Sequence, residues 1–320
     1  MGSVLDAKHF RDEAAAYKWV EARVWPNGRV CQHCGSVDDS GPLKQSENTR
    51  IGVYKCYAKE CRKKFSVKVG TIFHDSHIKL HVWLQAMFLL ASSKKGISSN
   101  QLARTLGVTL KSAWFLSHRI REAMKDTSGG MFGSGFGGVE ADETLQGINP
   151  DAPQDHLAGP WHMNRVLTLI DRDTGRARSI VMTEFTTEEI QRILNENVAK
   201  EAYLLTDEAG QYKRPGAQQT FHGAVNHSAG EYVSRDAPWV HTNTVEGYYS
   251  IFKRGMEGVY QHCGRQHLHC YTAEFDFRYS NRVKLGVDDV TRFTRIVEGV
   301  KGKRLTYRPT DRRIEAETTA

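Results

Sequence analysis

The 320 residues predict a mixed α/β domain preceded by two smaller modules, and three observations carry that expectation. Four cysteines stand in two closely spaced pairs near the N-terminus, a glycine-rich tract breaks the chain at 129–138, and strand-like runs alternate with helical ones beyond it. The length agrees, because a single hydrophobic core stops growing at about 250–300 residues. Charge follows the same division: residues 1–128 hold 21 Lys/Arg against 11 Asp/Glu, whereas residues 129–320 hold 23 against 26. A basic N-terminal part suits an acidic polymer as partner, and the rest of the chain keeps its acids for another purpose.

The charged N-terminal segment, 1–24, lacks the apolar core of an export signal. The longest apolar run, "VWLQAMFLLA", is far too short for a membrane span. A cytoplasmic protein with no membrane partner is expected, and its six cysteines then call for a role other than disulfides. "CQHC" at 31–34 and "CYAKEC" at 56–61 give C-x2-C, a gap of 21 residues, then C-x4-C. Four thiolates so spaced complete the tetrahedron that zinc favours, so Cys31, Cys34, Cys56 and Cys61 are expected to hold one structural zinc in a ribbon spanning 25–72. Period-two runs in "SENTRIGVYKC" and "KKFSVKVG" predict its strands.

Residues 76–128 read as a helical module. Leu80, Trp83, Leu84, Met87, Phe88 and Ala91 form an apolar stripe, and "NQLARTLGVTLKSAWFLSHRIREAM" has the pattern of a helix-turn-helix with Gly107 at the turn. Its second helix is expected to expose Thr109, Lys111, Ser112, His118, Arg119 and Arg121 to DNA phosphates and base edges. "GGMFGSGFGG", 129–138, reads as a linker.

The domain over 139–285 opens with a strand around "GVEADETLQG", followed by a proline-containing loop at 150–160. Two strands in "RVLTLIDRDTGRARSIVMTEF" come next, joined by "DTG". Thr186 or Thr187 caps a helix through "EEIQRILNENV", "AYLLTDEAG" is a buried strand ending in an acid, and a strand pair is expected around "TFHGAVNHSAGEYV". The amphipathic helix "HTNTVEGYYSIFKRG" carries Asn243, Glu246, Ser250 and Lys253 along one stripe. Asp142 in the first strand, Asp207 at the end of the buried strand and Glu246 on the helix would make a hard-oxygen site for magnesium or manganese, with Lys253 meeting a phosphate beside it. Glu143 and Glu208 should point away from it, while Glu140 shares the face of Asp142 and is the alternative to it. Arg278, Asn281 and Arg282 in "FRYSNR" are candidates for DNA-backbone contact or bonds to the core, and the histidines and cysteines of "HCGRQHLHC" fit no standard zinc spacing. A C-terminal helix and a loose tail containing Pro309 complete 286–320.

"EADET", "LLTDEAGQY", "HTNTVEGYYSIFKRGMEGVY" and "HLHCYTAEFDFRYSNR", in that order over roughly 25–285, resemble the ISXO-type transposases of bacterial insertion sequences. That resemblance implies an RNase-H-like DDE domain behind a zinc ribbon and helix-turn-helix. Its chemistry would be metal-dependent cleavage and strand transfer on DNA with two catalytic magnesium or manganese ions. It further implies double-stranded DNA, as element ends and target, for a partner, and a homo-oligomer assembled on that DNA. Asp142 and Asp207 match the first two acids; the third is Glu246 or Asn243. A domesticated DNA-binding regulator and an RNase-H-like nuclease or resolvase are the competing functions.

Overall fold

The structure is a computed structural model that describes residues 2–46, 50–152 and 162–305. The tail from 306 and most of the predicted 150–160 loop lie outside the described residues. The chain divides into two compact units: the first takes the described residues up to Leu89, Ser99–Ala123 and those from Phe293 on, and the second takes Leu90–Ser98 and Met124–Arg292.

In the first unit, helix α1 (Glu13–Val24) begins where the Asp12 carboxylate accepts the Ala15 N–H, and it buries Ala16, Tyr17, Val20 and Val24 on one face. Phe10, Phe88 and Phe293 pack edge to face and tilted, with centroids 5.3–5.9 Å apart. A three-stranded antiparallel sheet, β1 (Ser40–Pro42), β2 (Tyr54–Cys56) and β3 (Lys64–Phe65), forms the ribbon. The strand predicted through "KKFSVKVG" stops at Phe65 because Val69 N–H turns back to the Ser66 carbonyl. Helix α2 (Leu80–Ser92) starts on the Glu13 carboxylate, which accepts the Leu80 and His81 N–H groups. Helices α3 (Ser99–Leu106) and α4 (Leu110–Met124) flank Gly107, whose φ of +65° makes the helix-turn-helix corner that a Cβ would strain.

The second unit holds a five-stranded mixed sheet. Strands β4 (Val139–Ile148), β5 (Met163–Asp171) and β6 (Ala177–Val181) form an antiparallel meander, and β7 (Tyr203–Asp207) and β8 (Phe221–Val225) add in parallel, in the order β6-β5-β4-β7-β8. Only β5 runs against the others, as the register of each pair requires. Thr186 caps α5 (Thr187–Asn197) through the Glu189 N–H. After the short α6 (Lys213–Gly216) come α7 (Asn243–Gly255), α8 (Arg265–Ser280) and α9 (Asp289–Glu298).

Alternation along the strands makes two cores. Val139, Ala141, Leu167 and Leu169 face Ile190, Ile193 and Leu194 of α5, while Val166 and Ile170 face Val245, Tyr249 and Phe252 of α7 and Phe275 of α8. Each fully buried side chain of this size contributes roughly 1.5–3 kcal/mol relative to exposure, so the α7 stripe is strongly held.

Two predictions fail here. The tract 129–138 is no free linker: Phe132 is buried in the sheet core and pairs with Val198, and Gly133 and Gly137 donate to Asp171 and Asp173. The second strand expected after β8 is absent among the described residues, where a 3-10 turn at His227–Ala229 and a single bridge from Val233 to His241 stand instead.

Candidate active site and metal centres

The parity of β4 decides which acids can meet. Val139 and Ala141 face α5, so Glu140 and Asp142 face α7. Strand β7 pairs with β4 through Val139 with Leu204 and Glu140 with Leu205, and the same offset carried two residues on sets Asp207 level with Asp142. Burial pushes the Asp142 carboxyl up to about 7, and the charges of Glu143, Asp207 and Glu246 add to the rise. Asp207 is raised by burial and by Glu208, with the Ala209 N–H and His227 opposing. The predicted acids are therefore brought within electrostatic reach of one another. Among the described residues, their oxygens do not converge within 4.8 Å as the four sulfurs described below do.

Glu140 is a structural carboxylate, not a substitute for Asp142. It is fully buried, ion-paired to Arg172 at 2.6 Å, and its other oxygen accepts the Thr244 and Val245 N–H groups at 2.9 Å each. It thus caps α7 from the sheet and satisfies two N–H groups that the helix itself cannot. Tyr249 adds a second tie, donating to the Asp142 carbonyl at 2.5 Å and to that of Val166 at 3.2 Å. These bonds fix the helix on which Glu246 stands. Thr242 donates to Glu246 at 3.3 Å, and His227 Nε2 lies 3.3 Å from Glu246 and 3.1 Å from Thr242. Asn243 and Lys253 are exposed on α7.

The neighbouring acids have other bonds. Glu143 turns to Tyr212, which donates to it at 2.8 Å, although the nearby Asp207 charge still helps burial to raise it. Glu208 accepts from Ser228 and from the His227 and Ser228 N–H groups, and these bonds hold it down at about 2.

Sequence reasoning missed Thr242, His227, Tyr249 and Arg172. Thr242 directly precedes α7, where a polar residue is a standard helix-start feature; the other three carry no local pattern.

In the ribbon, Cys31, Cys34, Cys56 and Cys61 bring their sulfurs within 4.8 Å of one another. Cys31 and Cys61 Sγ are 3.8 Å apart, and Cys34 and Cys56 Sγ are 3.7 Å apart. Thiolates about 2.3 Å from a central zinc at tetrahedral corners would be about 3.8 Å apart, so the donor set fits that ion.

The expected DNA-facing side of α4 is corrected in part. Thr109 and Lys111 are exposed and Ser112 is half-buried, with the Thr109 hydroxyl accepting the Ser112 N–H. His118, Arg119 and Arg121 are buried. Arg119 donates to the carbonyls of Ile72, His74 and Leu305, Arg121 donates to Ser117, and the His118 ring packs 4.1 Å from that of Trp114. Carbonyl acceptors brought in from elsewhere in the chain let a guanidinium enter the core.

Arg278 is also buried, in an ion pair with Glu274. Arg282 donates to Gly175 and Tyr279 carbonyls, and the Asn281 amide donates to the Phe277 carbonyl. These three side chains are bonded within the second unit.

Residues 135–280 match the family model described as the ISXO2-like transposase domain, and residues 11–64 match that of the transposase zinc-ribbon domain. A protein of Halobacterium salinarum, described as an uncharacterised protein in transposable element ISH50, is 25% identical over 271 residues. That alignment covers 79% of this chain and 86% of the relative. No helix among the described residues is long and apolar enough to cross a membrane.

Proposed function

We propose that the chain, whose residues 135–280 match the ISXO2-like transposase domain and 11–64 the transposase zinc-ribbon domain, is an active DDE transposase that cuts insertion-sequence ends and joins them to target DNA. The observation that carries this reading is the Asp142 carboxyl, raised to about 7 on the sheet face covered by α7, with the charges of Asp207 and Glu246 among its causes. Such a concentration of negative charge is costly unless a cation shares it.

Asp142, Asp207 and Glu246 would hold magnesium or manganese, which supplies charge neutralisation and an activated oxygen for phosphoryl transfer. The remaining work belongs to the chain. Glu140 and Tyr249 fix α7, and Thr242 and His227 orient Glu246. Lys253, exposed two turns along the same stripe, supplies a point charge for a DNA phosphate without requiring bidentate geometry. Glu246 is preferred to Asn243 as the third ligand because its charge contributes to the Asp142 shift. In the first unit, Thr109, Lys111 and Ser112 offer the DNA-facing groups, and the four cysteines hold one structural zinc. A cytoplasmic, nucleoid-associated homo-oligomer assembled on DNA completes the proposal.

The test is magnesium-dependent joining of an element-end duplex to a plasmid. Asp142→Asn and Asp207→Asn should bind the duplex as the parent does and neither cleave nor join it. Glu246→Gln should share that loss, whereas Asn243→Ala should remain active. Full joining by both aspartate variants would refute the assignment. Joining lost in Asn243→Ala alone would transfer the third ligand to asparagine.

A further inference from the structure

The segment that joins β8 to α7, residues 226–242, is drawn together by its own hydrogen bonds. The Glu231 carboxylate accepts the Asn226 and Arg235 N–H groups at 3.4 and 3.2 Å, and the Glu231 N–H returns to the Asn226 carbonyl at 3.0 Å. Val233 forms a bridge with His241. Tyr232 stands between these two fixed residues and is nevertheless 60% exposed. A lone surface aromatic needs no partner to explain it. This one is held in place by its neighbours, so a flat group that covers it meets a ring already ordered, at little further entropic cost.

The position of the ring selects that group. Its centroid is 5.4 Å from that of His227 and the two planes are tilted by 53°, so the imidazole does not lie flat against it and leaves room for a stacked partner. His227 Nε2 is 3.3 Å from Glu246, and the same imidazole acts on the Asp207 carboxyl. One five-membered ring therefore separates Tyr232 from the acids, as one sugar separates the base of a nucleotide from its phosphate. A strand whose end is at the acids would bring its last base to the tyrosine. Inside a duplex both faces of a base are covered by neighbouring bases, whereas a cut end leaves one face bare for an aromatic side chain.

We propose that Tyr232 is a substrate-binding residue that stacks on the bare face of the terminal base at a cut element end and so seats that strand's 3′-hydroxyl at the acids. The proposal rests on the transposase reading but not on metal binding, since stacking requires no ion. Base–aromatic stacking contributes about 5- to 140-fold in affinity per base and tolerates any sequence.

The experiment uses the full zinc-loaded chain without magnesium or manganese and reads binding by fluorescence anisotropy. It compares a cut element-end duplex with the same duplex whose terminal base pair is replaced by two abasic sites, which keeps every phosphate. The parent should bind the abasic end about tenfold more weakly. Tyr232→Phe should retain that penalty, while Tyr232→Ala and Tyr232→Leu should bind the two ends alike, the leucine variant separating stacking from apolar bulk. A penalty that either of the last two variants keeps, or that phenylalanine loses with them, would overturn the proposal. Equal binding of both ends by the parent would overturn the stacking and leave the transposase reading standing; no binding of either end would refute that reading, and this inference with it.

Discussion

Replacing Glu140 tests how the third acid is positioned. Glu140→Ala deletes a fully buried carboxylate, leaves Arg172 without its 2.6 Å ion pair, and strips the Thr244 and Val245 N–H groups of their acceptor. Breaking a buried pair on one side costs about 3–5 kcal/mol, and the lower end applies here because Arg172 keeps bonds to the carbonyls of Trp239 and His241. Loss of the cap adds about 1 kcal/mol. The expected destabilisation of the second unit is therefore about 4 kcal/mol. Glu140→Gln keeps an oxygen for the helix and gives up the charge, so about half that loss is expected. Denaturant unfolding followed by near-ultraviolet dichroism would report it through Tyr248 and Tyr249, both buried on α7. End cleavage should fall in Glu140→Ala as α7 loosens and recover substantially in Glu140→Gln. The reasoning fails if Glu140→Ala unfolds within about 0.5 kcal/mol of the parent, a shift typical of unremarkable surface changes. It also fails if Glu140→Gln abolishes cleavage with stability unchanged, since that result would mark Glu140 as a ligand.

Three further outcomes are expected. Cys56→Ser should lower bound zinc from about one ion per chain and loosen the ribbon strands, read by metal analysis and amide exchange; unchanged stoichiometry would refute the cysteine site. Lys111→Ala should weaken end binding and reduce its salt dependence by about 1 in log–log slope, while an unaltered slope would place recognition elsewhere. Stability without divalent catalytic metal should fall as pH rises from about 4 to 7, because the unfolded chain releases the Asp142 proton near 3.8 and the folded chain keeps it to about 7. The loss is at most about 4 kcal/mol and should be removed by Asp142→Asn; parallel melting-temperature profiles for the two proteins would exclude this carboxyl as its source.

The features legible in the sequence depend on local spacing. Cys31 to Cys61 could be read because chelation by short loops fixes the intervals, and Asp207 because an apolar run ending in an acid stands out at a strand terminus. A threonine cap at 186 or 187 was legible for the same local reason, and the structure uses Thr186. The burial of Arg119 was not. A basic residue on an amphipathic helix reads as surface until the carbonyls of Ile72 and His74 come within reach of it, and those lie over forty positions away. Phe132 is similar: ten residues rich in glycine suggest a tether, but one aromatic among them found a place in the sheet core beside Val198. His227 has no periodic neighbours to mark it, and its role appears only when the turn after β8 meets the start of α7.

The positions of Glu246 and Lys253 follow from the helix that carries both. Glu246 lies in the first turn of α7 and Lys253 in the last, so each charge is at the end where the helix dipole favours it. Seven residues bring them to the same stripe and about 10 Å apart along the axis, too far for an ion pair. The lysine consequently does not ion-pair with Glu246. Glu140, by holding the Thr244 and Val245 N–H groups from the sheet, sets where that stripe faces. In the proposed site, Glu140 thereby positions the helix whose Glu246 is to act together with Asp142, two residues along the strand from it.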